Sequence, residues 1–98
     1  MKNKQKKILK NKCQIFYGFI PNSIELKRMI NTIKGKNLNK SAICLTESNK
    51  KTVQHWIVEH RFGPIYCIYN KEKEEIVNFL PIEDLEKNKR YFKKLELF

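Results

Sequence analysis

Glycine and proline occur only three times each in these 98 residues, and alanine once. Three scattered glycines cannot form the glycine-rich loop that wraps a phosphate group. The three cysteines, Cys13, Cys44 and Cys67, are odd in number and far apart. They make neither a CxxC pair nor a disulfide framework, so buried free thiols in a reducing cytoplasm are the expectation. No apolar run approaches the length of a membrane span. Cys13–Ile20, interrupted by Gln14 and Gly18, is too short for the core of a signal peptide. Acid is scarcest where base is densest: the first 40 residues contain a single acidic side chain, Glu25.

What the chain does have is base. It carries 21 Lys+Arg against 10 Asp+Glu, a formal net charge of +11. A hydrophobic fraction of 41% is too high for a disordered polycation, and 98 residues make one domain with little room for a large enclosed active site. Lys (18), Ile (12) and Asn (10) dominate, the bias of an A+T-rich coding sequence. Small basic proteins of phages, plasmids and low-GC bacteria share it, and it accounts for part of the lysine count without any function. The charge is uneven, with +6 in residues 1–12, +4 in 13–40 and +1 in 41–98. Such a balance suits an acidic partner, either nucleic acid or an acidic protein surface.

The pattern predicts a basic flexible extension over residues 1–11 and one globular domain over 12–98. Cys13–Ile20 reads as a buried strand. Asn22 or Ser23 caps a helix to about Lys34, with Leu26, Met29, Ile30 and Ile33 on one stripe. Ala42–Thr46 suits either a strand or a helix. Ser48 or Asn49 then caps a helix from Lys50 to about Arg61. In that helix Val53, Trp56, Ile57 and His60 turn inward, while Lys51, Gln54, His55 and Glu59 turn outward. Ile65–Asn70 and Glu75–Leu80 flank the charged turn KEKE as a hairpin, closed by Pro81. Glu83, Asp84 and Glu86 open a last helix with Lys93 and Lys94 near its end. The expected fold is α+β: a small single domain with a mixed sheet, including that hairpin, packed with about three helices.

Lys2, Lys4, Lys6, Lys7, Lys10 and Lys12 can neutralise several phosphates without reading sequence, and Lys27 and Arg28 extend that charge. Residues 38–81, LNKSAICLTESNKKTVQHWIVEHRFGPIYCIYNKEKEEIVNFLP, resemble the second helix, turn, recognition helix and wing of winged helix-turn-helix DNA-binding domains. The resemblance implies that Lys50 and Lys51 meet phosphate and that Gln54 and His55 face bases. The stretch IFYGFIPNSIELKRMINTI, followed by AICLTES and KKTVQHWI, is also similar to the opening of ADP-ribosyltransferase-type folds. That family holds its nicotinamide cofactor with a His or Arg on the first strand. Tyr17-Gly18 stands there in this chain, so no site residue is carried over.

His55 and His60 are five residues apart and do not share a helix face, which argues against a metal site; His60 reads as a packed core histidine. Tyr66 and Tyr69 on the hairpin are candidates for an exposed protein-binding surface. The expectation is a small basic binding protein without catalytic residues, metal or cofactor. Its leading role is nucleic-acid-binding regulation, its second is that of a protein-binding inhibitor or accessory factor targeting a nucleic-acid-handling host complex, and the third alternative is a minimal ADP-ribosyltransferase-like enzyme.

Overall fold

The computed structural model describes residues 2–46 and 52–92. Two helices lead the chain, α1 (Lys2–Tyr17) and α2 (Ser23–Ile33). Four strands follow, β1 (Ala42–Cys44), β2 (Val53–His60), β3 (Gly63–Asn70) and β4 (Glu75–Leu80), then a short helix α3 (Asp84–Asn88) and a 3-10 turn over Lys89–Tyr91. The domain is α+β. Its sheet runs in the order β1-β2-β3-β4, and all three pairings are antiparallel. The expected mixed sheet is therefore corrected. Each strand follows its neighbour through a short connection, and a parallel pair needs a crossover of a dozen or more residues.

The strand expected over 13–20 is instead the second half of α1, and residues 2–11, expected as an extension, are its first half. Leu9, Cys13 and Tyr17 recur every fourth residue, so a helix turns all three to the sheet. Ile15 and Phe16, which made the segment look strand-like, point outward. Gly18 adopts φ +80°, a conformation that suits glycine, just past the helix end. The Tyr17 hydroxyl reaches the sheet, where it donates to the Leu80 carbonyl at 2.5 Å and accepts from the Tyr66 N–H at 2.9 Å. α2 starts with a capping box: Asn22 Oδ1 accepts from the Glu25 N–H at 2.8 Å, and Glu25 Oε1 accepts from the Asn22 N–H at 3.5 Å.

The helix expected over 50–61 is strand β2 across 53–60. Its apolar residues follow helical spacing, yet they are β-branched or aromatic and face an apolar partner, β3, across the ladder. Strand geometry splits the supposed stripe. Trp56, Val58 and His60 face α1 and α2, while Val53, His55 and Ile57 take the other face. Residues 42–44 are a strand at the sheet edge.

The larger core lies between the helices and the sheet, around Leu9, Cys13, Met29, Val58, Cys67 and Phe79. On the opposite face Leu45, Tyr66 and Ile68 are covered by Ile82, Leu85 and Phe92. β3 is thus buried on both sides from Ile65 to Tyr69. In β4 the register shifts, with Tyr69 opposite Ile76 and Ile68 opposite Asn78. Val77 is the extra residue of this bulge, and it lets Ile76 and Phe79, three apart, both enter the larger core. Among the described residues, no helix is long and apolar enough to cross a membrane.

Candidate nucleic-acid interface

α1 and α2 pack on one face of the sheet, so the charge of the first 40 residues collects in one layer. Lys2 and Lys4 fall in the first turn of α1. Lys6 and Lys7 are exposed, Lys10 and Lys12 are half-buried, and Lys27 and Arg28 are exposed on α2. Lys6, Lys7, Lys10, Asn11, Ile20 and Ser23 line a groove of about 400 Å³ that holds no acidic side chain.

The layer's single acid is engaged locally. Glu25 Oε1 closes the capping box, and its Oε2 lies 3.4 Å from His60 Nε2 and 3.6 Å from an Arg61 guanidinium nitrogen. This cluster borders a second cleft, of about 100 Å³, whose lining also includes Arg28, Thr32, Lys40 and Glu59. Glu59 is occupied as well, since its Oε1 accepts from the Ser41 N–H at 2.9 Å and from the Ser41 hydroxyl at 3.4 Å. Among the described residues, neither Arg28 nor Lys40 has an ion-pair partner.

His60 is held on every side. Its ring stacks on Phe19 at 4.7 Å between centroids and 15° between planes. Nδ1 accepts from the Phe62 N–H at 3.3 Å, which places the proton of the neutral ring on Nε2, toward Glu25. Burial lowers its pKa more than Glu25 raises it, so the ring is neutral at neutral pH. Both ring nitrogens are committed to the protein. Beyond His60 the chain turns at Arg61-Phe62, and Gly63 adopts φ +111°. Phe62 is 60% exposed, and the Arg61 guanidinium carbon sits 4.9 Å from its ring centre.

Several expected contacts fall elsewhere. In a strand, residues 54 and 55 point to opposite faces, so Gln54 and His55 cannot both face bases. Gln54 is buried on the helix side and accepts from Trp56 Nε1 at 3.0 Å. His55 lies on the α3 side, where its Nδ1 and the Tyr66 hydroxyl share a hydrogen bond at 2.5 Å while Asn88 Nδ2 donates to the same oxygen at 3.2 Å. Lys50 and Lys51 lie outside the described residues, as do Lys93 and Lys94. The helix and recognition helix implied by the winged helix-turn-helix resemblance correspond to β1 and β2, and the first strand of the ADP-ribosyltransferase-type pattern corresponds to α1. Tyr66 and Tyr69 are buried because β3 is covered on both faces, so they form no exposed protein-binding surface.

Arg61, Phe62 and Lys40 were not among the expected site residues. The signals for them were the isolation of Glu25 among cations and the Arg-Phe-Gly-Pro turn. Cys13 and Cys67 are free, and burial pushes both thiols up to about 12, which keeps them protonated at neutral pH. Among the described residues, no group of three or more His, Cys, Asp or Glu is placed to hold a metal ion. No family model, curated protein or solved structure matches the chain.

Proposed function

We propose that this is a small nucleic-acid-binding protein that grips the phosphate backbone with its helical layer. One observation carries the reading: residues 1–40 hold +10 of the +11 net charge, and their only acid, Glu25, is already engaged by His60 and Arg61. The lysines lining the groove between α1 and α2 are thus left to face a polyanion. The sheet and α3, by contrast, are nearly neutral overall. Binding of this kind releases counterions and depends steeply on salt. With about five phosphates neutralised, affinity falls roughly 100-fold or more between about 50 and 200 mM salt.

The test is fluorescence anisotropy of a labelled oligonucleotide across that salt range. The triple variant Lys6→Glu, Lys7→Glu, Lys10→Glu is expected to weaken binding by at least about 10-fold at low salt. Thermal melts check that the variant keeps the fold. Absence of binding at low salt, or binding indifferent to salt, overturns the reading.

A further inference from the structure

We infer that the protein prefers a single strand over a duplex, with one nucleotide unit seated where the second cleft meets the β2–β3 turn. There Arg28 and Lys40 hold a phosphate, and the unpaired base lies against the Arg61–Phe62 pair. This rests on the nucleic-acid reading above and adds to it a site and a strand preference.

Three observations converge on this corner. The first is free positive charge. Arg28 and Lys40 both line the cleft and have no ion-pair partner among the described residues. The two acids of the cleft are spent, Glu25 on its capping box, His60 and Arg61, and Glu59 on Ser41. The second is a presented aromatic ring. Phe62 is 60% exposed at the tip of the β2–β3 turn, so a large part of its apolar ring faces solvent. Its position is nevertheless held, because the Phe19 and His60 rings stand 5.1 Å and 5.3 Å from it, centre to centre. The third is Arg61, which joins the two. One of its guanidinium nitrogens is 3.6 Å from Glu25 in the cleft, while its guanidinium carbon is 4.9 Å from the Phe62 centre. Planar guanidinium and aromatic groups are the surfaces on which unpaired bases stack.

The strand preference follows from geometry. In a duplex the bases are stacked on one another inside the helix, with the phosphates on the outside. A ring lying beside the phosphate-binding cations then meets sugar and phosphate, and stacking on it contributes nothing. In a single strand the base is free to turn onto it.

The experiment uses the full chain and labelled 12-mers of one sequence, as single-stranded DNA, single-stranded RNA and DNA duplex, measured by anisotropy. One single strand or both are expected to bind at least about 5-fold tighter than the duplex. Phe62→Ala is expected to weaken single-strand binding by roughly 5- to 100-fold and to leave duplex binding unchanged, while Phe62→Trp retains it. Arg28→Ala with Lys40→Ala is expected to lower the salt slope for the single strand by about one or more. Phe62 is exposed, so its variants are expected to fold, and melts check this. Equal affinity for single strand and duplex, or an unchanged single-strand affinity in Phe62→Ala, overturns the inference. If the lysine triple variant still loses binding in that case, the nucleic-acid reading stands alone. If no oligonucleotide binds at low salt, both fall.

Discussion

His55 and His60 lie on one strand, β2, and on opposite faces of one sheet, in two different chemical settings. His60 faces the helical layer at its rim, between Phe19, the Glu25 carboxylate and the cations of the cleft. His55 faces α3, where its partners are neutral: the Tyr66 hydroxyl and the Phe92 ring, with Asn88 on the same hydroxyl. The comparison extends to everything around them. The helix side has the larger core and, at its margin, all the concentrated charge. The α3 side has a smaller core and no strong charge pattern. A strand that alternates its side chains between two such environments packs the larger core on one face, with the charged rim at that face's edge, and a smaller, neutral core on the other.

The largest expected difference between the faces is in core energetics. Phe79 is fully buried beneath α1, whereas Leu85 is half-buried on α3. Phe79→Ala is expected to cost about 3–5 kcal/mol of unfolding free energy, and Leu85→Ala about 1–2 kcal/mol. Denaturant titration measures both. Equal costs would break the ranking of the two cores and promote α3 to an equal partner in the fold.

Next in size is the pair of tyrosine hydroxyls. Tyr17 inserts from α1 and satisfies two backbone groups of the sheet, the Leu80 carbonyl and the Tyr66 N–H. Tyr17→Phe leaves both without that partner, at an expected cost of about 1–3 kcal/mol. Tyr66→Phe removes the side-chain link to His55 and Asn88, at an expected cost of about 1 kcal/mol. Hydrogen exchange sharpens the contrast. Tyr17→Phe is expected to raise exchange at the β3–β4 pairing, and Tyr66→Phe at α3 alone.

How legible was this in the sequence? α2 was readable because its signals agree: an Asn22 cap, Glu25 three residues on, an apolar stripe and a glycine after the last turn. The β3–β4 hairpin was readable for a similar reason, as two β-rich runs flank a charged turn. β2 was not, because its apolar residues serve two cores, and burial on both faces removes the polar alternation that marks a strand. α1 misled in the other direction. Its strand-like residues, Ile15 and Phe16, are those it turns outward. The charge map was legible in outline, with +10 in the first 40 residues. The corner formed by Arg28, Lys40, Arg61 and Phe62 was not, because folding alone brings together residues up to 34 positions apart in sequence.

The smallest expected effect concerns pH and separates the two histidines directly. Burial lowers both pKa values below the ordinary 6.5. The unfolded chain therefore binds protons first as pH falls, so stability is full above about pH 6.5 and declines as pH drops toward the lowered folded values. His55 has burial alone acting on it, with no carboxylate among the described residues beside the ring to favour the charged form. At His60 the Glu25 carboxylate offsets part of the burial, although Arg61 and Lys40 oppose the charged ring. Thermal melts from about pH 7.5 to 5.5 are expected to show a falling midpoint in the native chain. The slope should flatten more in His55→Gln than in His60→Gln. The opposite order would mean that the cations of the cleft outweigh Glu25 at His60, and that the rim of the helical layer rather than the α3 face sets the acid limit of the fold.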